Sequence, residues 1–270
     1  MVDETPPAYQ VSFAGEFAIV AMQRSGTTVL TELLNSDLRF HVAAEIFHPG
    51  EDQLDSFFSY YAGHLRTSFG GSMPKRRDIF RNFVHDLRAK AGAEIVGYNV
   101  KYGSCHNLDD DWRGLSSPPA FFEILEMHGA GVIHVIRTNV FKSALSNVRA
   151  ATTNRWHLPA GGGGAIPRIE IDVFSLLRLI EFTYAEIETA TKWLFSFPRL
   201  LTARYENMFD GDRFDRRFVD SLAAFFDIEA RFSGEPKMKK LGAADWRENV
   251  TNWRDIEREV QLSFPRLSLE

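Results

Sequence analysis

The chain has 270 residues, with 36 acidic against 31 basic side chains, a formal net charge of −5 and 44% apolar content. That length supports a substantial core and that composition excludes wholesale disorder. The acidic balance argues against a nucleic-acid-binding surface, which normally carries a basic surplus. A single cysteine, Cys105, excludes an intramolecular disulfide. The acidic, proline-containing start from Met1 to Pro7 has neither the basic region nor the apolar stretch of a signal peptide. No run reaches the roughly 18 apolar residues that cross a bilayer. The expectation is a cytoplasmic protein without a transmembrane segment.

Residues 1–12 read as a flexible tail. Phe17-Ala18-Ile19-Val20-Ala21 is a short apolar run, the pattern of a buried strand, and it meets a polar turn at Gln23 to Gly26. Val29, Leu30, Leu33 and Leu34 then recur at helical spacing, so a helix opens at Thr27 or Thr28. Asp52 to Arg88 reads as mostly helical, interrupted near Gly70-Gly71 and Pro74. Ile95 to Val100 predicts a second strand and Phe121 to Met127 a short helix. Gly131 to Ile136 predicts a third strand, followed by a helix from Val140 through Arg149. Four glycines, Gly161 to Gly164, centre a flexible loop at 158–168. An amphipathic helix follows from Val173 to about Trp193, then a candidate fourth strand at Leu200 to Tyr205 and a helix marked by Phe214, Phe218, Leu222, Phe225 and Phe226. Strands alternating with helices, with no internal repeat and no linker, predict one α/β domain over 1–270. Its centre is a P-loop-like parallel sheet flanked by helices.

A strand turning sharply into a helix presents unpaired N–H groups and the positive end of the helix dipole, and both attract an anion. Gln23-Arg24-Ser25-Gly26-Thr27-Thr28 adds a glycine for close backbone approach, three hydroxyls and a guanidinium able to grip an oxyanion. Read alone, the same turn also fits polar residues that merely cap a helix. A Walker A loop would place glycine at Ala21 and lysine at Thr27, and this chain has neither. A nucleotide or sugar kinase with a degenerate phosphate loop is therefore the alternative reading.

Ala21 to Thr28 resembles the 5'-phosphosulfate loop of the sulfotransferases that use 3'-phosphoadenosine 5'-phosphosulfate (PAPS), whose pattern is close to P-R-S-G-[ST]-[ST]. Gln23 stands where proline is usual. Val132 to Asn139, continuing through Ser143 to Ala150, resembles the 3'-phosphate segment of the same superfamily, in which a strand-end arginine and a serine of the next helix grip that phosphate. The resemblance is nearest to bacterial carbohydrate sulfotransferases of the trehalose and nodulation-factor type. It rests there on Arg149-Ala150-Ala151-Thr152-Thr153-Asn154-Arg155-Trp156-His157 and on Glu45-Ile46-Phe47-His48-Pro49.

The resemblance implies transfer of a sulfuryl group from PAPS to a hydroxyl of a carbohydrate or glycolipid, with no metal cofactor and no nucleic-acid partner. A homodimer stays open. Gln23, Arg24, Ser25, Gly26, Thr27, Thr28, Arg137 and Ser146 are the expected donor-binding residues. Arg24 is the expected stabiliser of charge on the leaving phosphate, and Lys101, at the end of the second strand, is a candidate second cation. Glu45 is the implied general base; it sits between Ala43-Ala44 and Ile46-Phe47, an apolar setting, with His48 as the alternative. Lys75-Arg76-Arg77 and Lys237-Met238-Lys239-Lys240 read as solvated charge. Asp109-Asp110-Asp111 lacks the spacing of an EF-hand loop. The acceptor-recognising segments are expected between His48 and Pro74 and in the glycine-rich loop.

Overall fold

The computed structural model describes residues 12–48, 55–67, 75–114, 117–153, 168–211, 213–229, 232 and 246–269. Residues 1–11 of the expected tail, the Gly161–Gly164 loop, Lys237–Lys240, Asn154–His157 and most of the loops around Gly70-Gly71 lie outside the described residues.

Five strands form one parallel sheet: β1 Glu16–Ala21, β2 Phe40–Glu45, β3 Ile95–Lys101, β4 Gly131–Ile136 and β5 Leu200–Arg204, in the order β2-β3-β1-β4-β5. β1 is central and buried along its whole length, which is why it reads as an unbroken apolar run. The chain leaves β1 for the β2 edge and leaves β3 for the opposite half. The loops at the carboxyl ends of these neighbouring strands therefore diverge and open a crevice, the position where open α/β sheets take ligands.

One face of the sheet carries α1 Thr27–Leu34 and α7 Arg216–Phe226. Leu30, Leu33, Phe225 and Phe226 there pack on Phe17, Ile19 and Ile133. The other face carries α2 Phe57–Thr67, α3 Arg76–Ala91, α4 Ala120–Met127 and the end of α6 Val173–Leu194, over Ala18, Val20, Val96, Tyr98 and Val132. The alternation along β1, odd residues to one face and even to the other, divides the two cores. Gly97 of β3 lies under Phe17, whose ring fills the space a Cβ would occupy. A third cluster joins α5 Val140–Thr153 and α6 to α9 Trp253–Ser263 through Leu145, Leu176, Ile180, Ile256 and Val260. A short hairpin, β6 Phe209–Asp210 with β7 Arg213–Phe214, and the four-residue α8 Trp246–Asn249 complete the elements. Among the described residues no helix is long and apolar enough to cross a membrane.

The sequence reading found four of the five strands and missed β2. Only Phe40, Val42 and Ala43 of that strand are buried, and its alanines dilute the alternation that marks a half-buried strand. Pairing with β3, more than fifty residues away, is what makes it a strand. The miss matters, because β2 ends on Glu45.

The two charge runs proved to be partners. Asp110 accepts from the Arg76 N–H and lies 3.6 Å from Arg77, while Asp109 accepts from the Ala120 N–H at the start of α4. Among the described residues no group of His, Cys, Asp or Glu is placed to hold a metal ion.

Candidate active site

The loop between β1 and α1 is strained, and its surroundings account for the strain. Arg24 adopts φ 64° and Gly26 φ 84°. The left-handed region costs a residue with a Cβ roughly 1–3 kcal/mol, so Arg24 stays there only because its neighbours fix it. Gly26 is constrained twice. Its φ favours glycine, and a Cβ there would lodge in the ring of Tyr205, which arrives from the short 3-10 turn after β5. Gly26 also caps α1 without a side-chain hydrogen bond, and the first turn of that helix carries no acid. The N–H groups and positive dipole end of α1 are thus left to the loop.

Hydrogen bonds fasten the loop to the β4–α5 unit. Ser143 Oγ donates to the Gln23 carbonyl at 3.3 Å, Arg137 Nη1 to the Arg24 carbonyl at 3.0 Å, and Arg24 Nε to Ser146 Oγ at 3.0 Å. Ser143 and Ser146, three apart on α5, share a helix face. Arg137 follows β4 directly and stacks on Tyr205, its guanidinium carbon 4.9 Å from the ring centroid. The next residue, Glu206, accepts from the N–H groups of Thr138 and Asn139, both at 3.0 Å. A carboxylate of the protein itself therefore occupies the amino end of α5. An anion bound beside α5 would have to be held by side chains.

Those side chains are cationic. Burial holds Arg24, Arg137 and Arg149 below the ordinary arginine value. For Arg24 the positive charges of Arg137 and Arg149 push further the same way. Gathering three partly buried guanidiniums is unfavourable unless an anion joins them.

Glu45 stands at the rim. The pairing of β2 with β3 shifts register between Ala43 and Glu45, and such a bulge turns the following side chain. Asn99 of β3 fixes the bulge: its amide donates to Thr31 Oγ1 of α1 at 2.8 Å and to the Ala43 carbonyl at 3.1 Å. The carboxylate is not in the apolar setting its neighbours in sequence suggested. It is 37% exposed, and Oε1 lies 3.3 Å from Lys101 Nζ. Ile46 and Phe47 turn into the core while the Glu45 carboxylate meets a cation. Lys101 is 11% exposed and also donates to Thr27 Oγ1 at 2.9 Å, so its ammonium joins the carboxylate to the first residue of α1. Burial holds that ammonium below the ordinary lysine value, against the opposing charge of Glu45. His48 is exposed, its N–H bonded to the Glu45 carbonyl.

Beneath the loop lies a polar pair that the sequence did not signal. Tyr102 donates to Nε2 of His134 at 2.8 Å, and the Met22 N–H reaches the same hydroxyl. Burial lowers the His134 pKa to about 4, so the imidazole is neutral and accepts the tyrosine proton.

The structure thus brings Arg24, Ser25, Gly26, Thr27, Arg137 and Ser146 together, with Gln23 and Thr28 at the exposed edge of the same loop. Glu45 joins them through Lys101. Tyr205, Glu206, Asn99 and Ser143 were missed as site residues. Ser143 and Arg149 stood inside a quoted segment, whereas Tyr205 and Glu206 had no local signal. The arrangement can cradle a doubly anionic ligand beside one carboxylate able to take a proton.

A family model described as Stf0 sulphotransferase matches residues 16–170, more than half of the chain. No curated protein sequence matches it. Among solved structures, the sulfotransferase domain of the olefin synthase from Synechococcus PCC 7002 is similar at 12% identity, over 90% of this chain and 86% of that one, with a TM-score of 0.42. Sulfotransferase STF9 from Mycobacterium avium is similar at 12% identity, over 95% of this chain and 77% of that one, with a TM-score of 0.41.

Proposed function

The chain belongs to the Stf0 sulphotransferase family, and from that premise we propose that it transfers a sulfuryl group from PAPS to a hydroxyl of a carbohydrate or glycolipid. The observation that carries the reading is the junction of two anion-binding units. The Gln23–Thr28 loop is bonded directly to Arg137, Ser143 and Ser146, with a third guanidinium, Arg149, beside them. A donor with separate 5' and 3' phosphate ends needs two such units; ATP has no second phosphate end.

The residues fit this donor in charge. Arg24, Arg137 and Arg149 concentrate positive charge at the loop, and burial together with the charges of Arg137 and Arg149 holds the Arg24 guanidinium below the ordinary arginine value. The loop N–H groups, Arg24 and the α1 amino terminus would hold the phosphosulfate end, and Arg137, Ser146 and Arg149 the 3'-phosphate. Bound PAPS supplies an activated sulfuryl group on a phosphate leaving group. Glu45 accepts the proton of the acceptor hydroxyl. The new oxygen–sulfur bond forms as the bond from sulfur to the bridging phosphate oxygen breaks, giving a sulfate ester and adenosine 3',5'-bisphosphate. Arg24 and the loop amides take up the charge that develops on the departing phosphate, the role that preorganised donors serve best.

Thermal unfolding tests the donor assignment. Adenosine 3',5'-bisphosphate should raise the melting temperature, and ATP with magnesium should not. A larger response to ATP overturns the reading in favour of a kinase. Transfer of labelled sulfate from PAPS to a panel of sugar and glycolipid acceptors then tests the acceptor class.

A further inference from the structure

Lys101 holds two partners that belong to different parts of the reaction. Thr27 Oγ1 lies on the phosphate loop side, and Glu45 is the proposed base on the acceptor side. The two contacts differ in quality. The bond to Thr27 is short at 2.9 Å, whereas the ion pair with Glu45, at 3.3 Å, is longer than the roughly 2.7–2.9 Å of a fully made charge-assisted bond. Lys101 is nearly buried and has little solvent to compensate a lost partner, so its ammonium follows whichever anion is nearest and most highly charged. The backbone beneath the base, by contrast, is held in place. Asn99 pins the Ala43 carbonyl at the bulge and thereby fixes the backbone that carries Glu45.

We propose that Lys101 is a switch that keeps Glu45 ion-paired until the donor arrives, then turns to the anion in the phosphate loop and leaves the carboxylate free to take the acceptor's proton. The inference rests on the reading of the loop as the donor site and of Glu45 as the base. It makes Lys101 a positioning residue that acts through Glu45 in the free protein. It also couples the two substrates: donor occupancy strengthens the base, and the ion pair opposes donor binding by competing for the ammonium. The lowered basicity of buried Lys101 agrees with a cation whose surroundings do not fully compensate it.

A double-mutant cycle on nucleotide affinity tests the coupling. Adenosine 3',5'-bisphosphate is titrated calorimetrically into the wild type, Glu45→Gln, Lys101→Met and the double variant. Removing the competing carboxylate should tighten binding by about three- to tenfold in the wild-type background, a typical coupling for groups in contact. In the Lys101→Met background the same change should have no effect. If Glu45→Gln tightens binding equally in both backgrounds, the carboxylate merely repels the nucleotide and the switch is wrong, although the donor site stands. If none of the four proteins binds the bisphosphate, the donor site fails and the switch with it. Lys101→Gln, which keeps a donor toward Thr27, gives the cycle a second form should the methionine variant fold poorly. The same loss of coupling is expected there, and a retained coupling overturns the proposal.

Discussion

Buried charge occurs at both ends of the central sheet, and the two ends treat it differently. At the amino ends, Glu16 accepts from the Tyr98 hydroxyl at 2.6 Å and meets His128 at 3.3 Å. Arg199, 1% exposed, donates to the Phe225 carbonyl and pairs with Asp227 at 2.8 Å. Glu16 and Arg199 are each matched by the protein, and burial together with Glu16 raises the Tyr98 pKa so that the hydroxyl stays a donor. At the carboxyl ends, Arg137 and Arg149 lie close enough to Arg24 for their charges to act on it, Lys101 meets Glu45, and Glu206 is engaged with the start of α5. A buried polar cluster that neutralises itself serves the fold. One that draws several cations to the carboxyl ends of the strands, where open α/β sheets take ligands, is a candidate site, the role proposed for it above.

The comparison can be broken most sharply at the proposed base. Glu45→Gln should lower kcat by about 10²- to 10⁴-fold, the usual worth of a general base, in a labelled-PAPS turnover assay. An active variant would move the base elsewhere, with His48 the next candidate.

Acidity gives the next largest effect. His134 sits beneath the loop with its pKa lowered to about 4 by burial, while in the unfolded chain it titrates near the ordinary value of 6.5. Between those values the unfolded state binds the proton and the folded state does not. Stability is therefore complete above pH 6.5 and falls as the pH drops toward 4, by about 3 kcal/mol for this group. Denaturant unfolding at pH 7 and pH 4.5 should show the loss, and His134→Gln should flatten that part of the profile. An unchanged profile in the variant would place the acid sensitivity in other groups.

Arg137→Ala separates the two halves of the proposed anion site. Losing a charged hydrogen bond worth about 1.5–3 kcal/mol should weaken adenosine 3',5'-bisphosphate by about ten- to a hundredfold. Adenosine 5'-phosphate should lose less. Equal losses would mean that Arg137 only props the Arg24 carbonyl. The smallest effect is expected at the opposite end: Tyr98→Phe strips Glu16 of a partner and should cost about 1–3 kcal/mol of stability. Nucleotide affinity should stay unchanged, and a change in it would show that the two ends are not separate.

The order of the elements was legible because each leaves a local trace. Phe17 to Ala21 is apolar throughout since both its faces are covered, and Leu30, Leu33 and Leu34 repeat with the helix. Gly26 too was marked as special by its place between strand and helix. Its full reason was not legible, because the Tyr205 ring that excludes a side chain there lies almost 180 residues away in sequence.

The sequence by itself determined the α/β alternation, the position of the loop and the residue types at both proposed anion-binding segments, all of which depend on neighbours within a turn or a strand. Only the tertiary structure decided what those residues face. It made an edge strand of Phe40–Glu45 by pairing it with β3, and it set Lys101 between Thr27 and Glu45. It also tied Arg137 and Ser146 to the loop backbone and side chain of Arg24. Parallel strands pair through long crossovers, so the contacts that close the site join segments about 60 to 180 residues apart, beyond the range over which a periodic pattern carries information.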